Sequence, residues 1–265
     1  MVKFGVIGGS GIYSLENVEI DWITVVTPYG EVEMGVSEIE KHEVFFIPRH
    51  GRHHSLPPHL INYRANIWAL ASLGVKRIIA TNACGSLNEK YSPGHLVLPD
   101  QFLDFTKSRP STFYNQPGSV AHTDMTVPYC PQIREEIMKA SSRIGFSDVH
   151  NGGTYVTTEG PRFETAAEIK AYRLLGGDLV GMTSVHEVVL AREAGMCYAS
   201  ISIVTNFAAG ISPNVLTHDE VLEMMEKITP IVRQLILETI KYFPEEKTCQ
   251  CPRDISLLNI KPKVM

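Results

Sequence analysis

Alternating blocks of apolar and polar residues divide the chain into short strands and longer helices. Apolar runs bounded by glycine or turn residues predict strands at 2–7, 21–27, 30–38, 42–48, 77–81, 154–158 and 197–205. Helical spacing predicts helices at 62–73, 131–144, 185–193 and from about 217 to about 242. The residues at 165–168 and 217–220 have the spacing of capping boxes, which open helices. A turn is predicted at 82–86.

The order of these elements indicates an α/β fold. Early strands followed by alternating strands and helices predict a central mixed β-sheet flanked by helices. The 265 residues contain no internal repeat, low-complexity tract or polar linker, so a single domain is the simplest interpretation. We assign this domain to residues 1–245, and we expect the polar segment 246–265 to be a loose C-terminal tail.

The charge balance excludes some classes of partner. The chain has 24 basic and 29 acidic residues, whereas a surface that binds nucleic acid needs a basic face. No apolar run approaches the roughly 20 residues that span a bilayer, and the apolar stretch at 3–7 is too short for a signal peptide. We therefore expect a cytoplasmic protein that binds neither nucleic acid nor a membrane.

The five cysteines are too sparse for a disulfide scaffold in a chain of this length. Cys249 and Cys251 have no CxxC or histidine pair nearby, so the local spacing does not indicate a zinc site. Free thiols are the default expectation. A structural disulfide among Cys130, Cys197, Cys249 and Cys251 stays open, because intracellular disulfides occur in hyperthermophiles.

Two glycine-containing loops follow predicted strands and offer groups that bind anions. The loop 8–11 lacks the G-x-G-x-x-G spacing of a dinucleotide site, but its backbone N–H groups and the Ser10 hydroxyl suit an anion. In the loop 48–54, Arg49 can fork onto phosphate oxygens and His50 can donate as well. A tight turn and a solvated basic loop are the alternatives; two such loops together favour an anion site.

Other polar groups stand where further strands end. The segments 82–86, 181–183 and 205–210 each follow an apolar run. Ligands of open α/β sheets bind outside the carboxyl ends of the strands. Any one of these segments is explained equally well as a turn, but their recurrence favours a ligand site.

Seven motifs in order resemble a known family, the nucleoside phosphorylases that include methylthioadenosine phosphorylase and trimeric purine nucleoside phosphorylase. They are GVIGGSGIY, PRHGRHH, NYRANIWAL, TNACGSL, TEGPRF, GMTSVHEVVLAREAGMCYASI and a strand-end TN, spread over about residues 3–242. The resemblance implies purine salvage: inorganic phosphate cleaves the N-glycosidic bond of a purine nucleoside and yields free base and ribose 1-phosphate. It also implies no metal or organic cofactor, and a homotrimer or a dimer of trimers.

The family pattern carries over to particular positions of this chain. It implies a phosphate site of Ser10, Arg49, His50, Asn82, Ala83 and Thr183. It implies contacts to the nucleoside from Phe163, Glu164, Met182, Asn206, Phe207, Ala208 and His218, and from His122 of a neighbouring subunit. Asn206 is the implied donor to the departing base, and with His50 it forms the implied catalytic pair.

The residues at the base favour a 6-oxopurine. An ionised carboxylate only accepts hydrogen bonds, so Glu164 complements the N1–H of hypoxanthine or guanine. Family members that act on adenosine have a small residue in place of Glu164 and an aspartate in place of Asn206. The alternative is that Glu164 has no role in binding and only interacts favourably with the dipole of the helix that follows it. We expect inosine or guanosine as the substrate.

The sugar end leaves alternatives open. His218 stands where methylthio-specific members have a small apolar residue, and it could bind a 5′-hydroxyl. His122 is typical of the methylthio branch, so 5′-methylthioinosine or 5′-methylthioadenosine is the alternative substrate. A non-catalytic nucleoside-binding protein would lack a phosphate ligand, and a nucleoside hydrolase would need a carboxylate cluster or a metal; the sequence indicates neither.

Overall fold

The computed structural model describes residues 2–9, 12, 20–212, 218–251 and 263–264. The strands within them are β1 (Lys3–Gly8), β2 (Asp21–Thr27), β3 (Gly30–Ile39), β4 (His42–Pro48), β5 (Arg77–Ser86), β6 (Leu96–Leu98), β7 (Gln101–Asp104), β8 (Val149–Asn151), β9 (Thr154–Thr157), β10 (Leu179–Gly181), β11 (Cys197–Phe207) and β12 (Lys263–Val264). The α-helices are α1 (Tyr63–Ser72), α2 (Pro131–Ile144), α3 (Ala166–Leu174), α4 (Val185–Glu193) and α5 (His218–Lys241).

Strands β5 and β11 form the centre of one mixed sheet. β5 pairs in parallel with β1 and β11 and antiparallel with β10. From β5 the sheet runs through β1, β4, β3 and β2 in one direction and through β10, β9 and β7 in the other. β11 carries β6, which pairs with β8. This mixed sheet flanked by helices confirms the predicted fold class.

The predicted turn at 82–86 is wrong, because β5 continues to Ser86. Its partner β11 is long enough to follow it over this stretch, with a register shift between Val204 and Asn206. On the other side, β10 pairs with Gly85 and Ser86. Hydrogen bonding to two neighbouring strands therefore extends a segment whose asparagine and glycine indicate a turn when they are considered alone.

The helix starts follow their capping residues. The Asn62 side chain accepts a hydrogen bond from the Ala65 N–H and caps α1. Both hydrogen bonds of the predicted capping box between Thr165 and Glu168 are present at α3. The second predicted box begins at residue 217, outside the described residues, and α5 begins one residue later. Among the described residues, we find no helix that combines the length and apolarity needed to cross a membrane.

The described part of the C-terminal segment differs from the loose tail that we predict. Cys249 and Cys251 are buried in the same core as α2 and α5. The Gln132 amide on α2 donates to the Glu246 carbonyl and accepts from the Thr248 N–H. The segment up to residue 251 is therefore packed on the domain, because buried thiols and paired backbone groups anchor it.

Candidate functional site

A cavity of about 400 Å³ opens where β4, β5, β10 and β11 end or pass into loops. Its volume lies within the range of small-molecule sites. Many of the residues predicted for phosphate and nucleoside line it together: Arg49, His50, Asn82, Ala83, Phe163, Glu164, Met182, Thr183, Asn206 and Ala208. The fold therefore brings residues that are up to about 160 positions apart in the sequence to one place.

The remaining predicted residues lie elsewhere or outside the described part. Ser10 and the side chain of His218 are not described. His122 is exposed and is not among the residues that line the cavity. Phe207 faces a second, smaller cavity of about 250 Å³ instead of the main one. Thr205 and Asn206 line both cavities, so the end of β11 lies between them.

Arg49 is fixed by a buried ion pair at the inner end of the cavity. Its Nε donates to Glu187 Oε1 at 2.5 Å and its Nη2 to Glu187 Oε2 at 2.8 Å. Its Nη1 donates to the Thr81 carbonyl at 2.6 Å. Burial disfavours the charged guanidinium, but the adjacent carboxylate outweighs this effect and raises the pKa of Arg49. Two of the five guanidinium N–H groups remain for a ligand.

The loop after β1 passes close to this guanidinium. The Gly9 N–H donates to Thr81 Oγ1 at 2.9 Å. A Cβ atom at Gly9 would lie 2.5 Å from the Thr81 carbonyl oxygen and 2.9 Å from Arg49 Nη1. The position therefore requires glycine, because a side chain there would push directly on the cation.

His50 faces the same cavity as a neutral imidazole. Burial and the nearby Arg49 charge lower the pKa of His50 to about 4. Its Nδ1 is 2.8 Å from the Leu56 carbonyl oxygen, which can only accept, so Nδ1 carries the proton. Nε2 is then an acceptor, whereas the sequence interpretation makes His50 a donor to the anion.

Two side chains suited to a purine edge lie on the opposite side. Glu164 Oε1 accepts a 2.6 Å hydrogen bond from Thr158 Oγ1, and burial raises the pKa of the Glu164 carboxyl. Asn206 Oδ1 accepts from Thr205 Oγ1 at 2.7 Å, and Nδ2 donates to the Phe207 carbonyl at 2.9 Å. Each side chain has hydrogen-bonding groups left for a ligand: Glu164 has further lone pairs that can accept, and Asn206 has a second N–H that can donate.

Comparisons with known proteins agree with this geometry. Residues 3–241 match the model of the phosphorylase superfamily. The chain belongs to the phosphorylase superfamily. It is 53% identical to the 6-oxopurine nucleoside phosphorylase of Pyrococcus furiosus, with 95% of this chain and 97% of that protein covered. It is 52% identical to a probable S-methyl-5′-thioinosine phosphorylase of Methanopyrus kandleri, with 95% and 96% covered.

A solved structure agrees as well. The methylthioadenosine phosphorylase of Schistosoma mansoni in complex with adenine superposes with a TM-score of 0.85 at 36% identity, and 93% of each chain is covered. The resemblance to nucleoside phosphorylases that the motifs indicate is therefore confirmed.

Within this phosphorylase-superfamily site, Arg109 has a role that the sequence does not reveal. Its buried guanidinium binds the Glu159 carboxylate, the backbone carbonyls of Thr158, Glu159 and Met182, and the Tyr63 hydroxyl. These bonds join the loop that carries Glu164 to the segment that carries Met182. A lone arginine in a polar loop has no sequence signal for such a role. Glu187 was also missed, although it lies within a motif that the sequence analysis quotes.

Proposed function

We propose that this protein is a 6-oxopurine nucleoside phosphorylase. Phosphate attacks C1′ of inosine or guanosine, the bond from C1′ to N9 breaks, and free base and ribose 1-phosphate are formed. The observation that carries the proposal is a cavity in which a buried arginine, Arg49, lies with a carboxylate–carboxamide pair, Glu164 and Asn206. The name of the Pyrococcus furiosus relative supports it.

The phosphate side of the cavity suits a protonated phosphate. The two free N–H groups of Arg49 bind phosphate oxygens with charge-assisted hydrogen bonds. Neutral His50 accepts a hydrogen bond from the phosphate hydroxyl at Nε2, and the unprotonated phosphate oxygens are left to attack C1′. Asn82 Oδ1 is buried without a partner among the described residues, so it is a second acceptor for a phosphate or ribose hydroxyl. Thr183, just before α4, adds a hydroxyl and the N-terminal side of a helix.

The base side stabilises the leaving group. As the glycosidic bond breaks, negative charge develops on the purine and positive charge on the sugar. The second N–H of Asn206 Nδ2 donates to N7 and stabilises the negative charge on the purine. The bound phosphate faces the sugar and stabilises its positive charge, so both stabilising groups are in place before the reaction begins. Met182 packs against the ribose and Phe163 against the base. The reaction proceeds without a covalent enzyme intermediate, and no metal or organic cofactor takes part in it.

Glu164 selects the base. Its ionised carboxylate accepts the N1–H of a 6-oxopurine, whereas adenine would direct the N1 lone pair at it. The Thr158 hydroxyl orients the carboxylate and favours its ionised form. A 6-aminopurine therefore loses a hydrogen bond and meets repulsion at the same edge.

The second candidate substrate is 5′-methylthioinosine. Val221 lies three residues after His218 on α5 and lines the cavity, so this turn of the helix borders the site. An apolar side chain there suits a methylthio group, whereas a histidine suits a 5′-hydroxyl. The name of the Methanopyrus kandleri relative favours this candidate.

We further propose that the chain acts in the cytoplasm as a homotrimer or a dimer of trimers. Phe163 lines the cavity yet is 43% exposed, so the mouth has room for a neighbouring chain. His122 of that chain would reach the 5′ end of the nucleoside.

Light scattering gives the mass of the oligomer and so the number of chains in it. In mixed oligomers of inactive His122→Ala and Arg49→Ala chains, activity should reappear, because some sites combine intact residues from both; no recovery would contradict the shared site.

One assay tests the function directly. Base release is measured from inosine, guanosine, adenosine, 5′-methylthioinosine and 5′-methylthioadenosine, each with and without phosphate. We expect phosphate-dependent turnover of inosine and guanosine with ribose 1-phosphate as product, and little turnover of adenosine. Equal rates without phosphate, with free ribose as product, would indicate a hydrolase. A clear preference for adenosine would reject the role of Glu164.

A further inference from the structure

Four of the five cysteines meet in one buried cluster far from the cavity. Cys130, Cys197, Cys249 and Cys251 are each at most 6% exposed, and their sulfur atoms all lie within 4.8 Å of one another. Cys197 Sγ and Cys249 Sγ are 3.5 Å apart, and no disulfide joins any of the five cysteines, which all lie in the described residues. Three separate parts of the chain therefore converge on one small volume lined by sulfur.

We propose that these four cysteines bind one structural zinc ion. Zinc in structural sites is tetrahedral, and Cys₄ is one of its common ligand sets. With Zn–S bonds of about 2.3 Å, the corners of the tetrahedron lie about 3.8 Å apart, a spacing that this cluster accommodates, since one sulfur pair is 3.5 Å apart and all pairs are within 4.8 Å. The thiols lose their protons to solvent as the metal binds, so the site binds more tightly as the pH rises.

The cluster is built from well-supported positions. Cys130 caps α2, and its N–H donates to the Tyr198 carbonyl at 2.7 Å, next to Cys197 at the start of β11. The segment with Cys249 and Cys251 is fastened to α2 by both ends of the Gln132 amide. All four ligands therefore lie in segments that hydrogen bonds hold to the rest of the domain.

Positive charge near the cluster offsets the two excess negative charges of a zinc tetrathiolate. Arg77 is the register partner of Cys197 on the neighbouring strand β5, and its guanidinium stacks on Phe243. The Lys247 ammonium donates to the Cys251 carbonyl at 2.6 Å. A buried anionic site without nearby cations would be costly, and here two are present.

The metal would stabilise the fold without taking part in the reaction. Cys197 and Asn206 stand near opposite ends of β11, about 30 Å apart at about 3.3 Å per residue. The ion would join the C-terminal segment to α2 and β11. This placement explains why a polar segment, 245–251, ends in a buried sequence with two cysteines.

The wild-type chain gives the first test. After purification under reducing conditions, elemental analysis should find one zinc per chain, and cobalt replacement should give the intense visible bands and sulfur-to-metal charge transfer of a tetrahedral thiolate site. No metal and no cobalt spectrum would overturn the proposal. Iron in place of zinc would overturn the choice of metal, and a thiol titration that finds disulfides among these cysteines in the native protein would overturn the site itself.

Variants give the second test. Cys249→Ser with Cys251→Ser should lose the zinc and lower the melting temperature, while kcat/KM measured well below that temperature stays within about twofold of wild type. Cys84→Ala is the matched control, because it removes the buried cysteine outside the cluster and should retain the zinc. Zinc retained in the double variant would overturn the assignment of ligands. If that variant does not fold, the cobalt spectrum of the wild type decides.

Discussion

Replacing Glu164 by glutamine tests base selection with almost no change in shape. The carboxylate accepts a hydrogen bond from Thr158 and keeps lone pairs for the purine N1–H. In Glu164→Gln, a single oxygen remains to accept, and the new NH₂ group must face either the Thr158 hydroxyl or the base. A donor that faces N1–H is repelled, whereas the same donor complements the N1 of adenine.

The cavity gives the expected size of the effect. A hydrogen bond to a charged group contributes about 1.5–3 kcal/mol, which corresponds to about a 10- to 150-fold loss of kcat/KM for inosine. Adenosine should lose nothing or gain, so the preference between the two should shift by at least about tenfold. Because burial raises the pKa of Glu164, acid should also weaken the preference of the wild type for inosine, and the glutamine variant should not show this trend.

The assay is kcat/KM for inosine and adenosine at saturating phosphate, across the pH range in which the protein is folded. Glu168→Gln is the matched control, because the same change is made four positions later at a half-buried carboxylate that pairs with Arg162 and caps α3. The control should alter stability slightly and leave the base preference unchanged. An unchanged preference in Glu164→Gln, or an equal shift in both variants, would refute the reasoning.

Three further predictions concern the phosphate side and the ribose side. Glu187→Gln leaves the buried Arg49 without its counterion, so we expect a loss of about 3 kcal/mol in unfolding free energy that added phosphate partly restores; thermal melts with and without phosphate test this. Gly160→Ala forces a side chain into a backbone with φ of 65° and places its Cβ 2.4 Å from Met182 Sδ, so KM for nucleoside should rise severalfold while KM for phosphate stays constant. Because the pKa of His50 is lowered to about 4, the unfolded chain binds a proton that the folded chain lacks between about pH 6.5 and 4. Stability should therefore fall by about 2–3 kcal/mol as the pH drops through this window, and urea titrations should show a smaller fall for His50→Gln.

Features set by neighbouring residues in the sequence were predictable. The Asn62 cap and the Thr165 capping box depend on side chains three residues away or fewer, and both are present. The end of β5 was not predictable in this way, because its last residues are held extended by β10 and β11, which lie far along the chain. Hydrogen bonding across the sheet therefore outweighed the local turn preference of these residues.

The candidate site shows the same division. Ten of the residues that the motifs single out line one cavity, whereas other lining residues, such as Leu56 and Val221, belong to no motif. Arg109 and the cysteine cluster could not be found from sequence spacing, because each joins segments that only tertiary structure brings together. The neutral state of His50 was equally hidden, since it depends on burial and on one backbone carbonyl.

The close approach of Gly9 to Arg49 has a consequence for protein engineering. A single methyl group at position 9 would collide with a backbone carbonyl that cannot move without disturbing β5, so this position of the anion half has almost no tolerance for mutation. The base half is different, since Phe163 is 43% exposed and Glu164 lies in a loop. A library for new nucleobases should therefore randomise positions 163 and 164 and leave 9, 49 and 206 untouched, and deep mutational scanning should find position 9 occupied by glycine in every active variant.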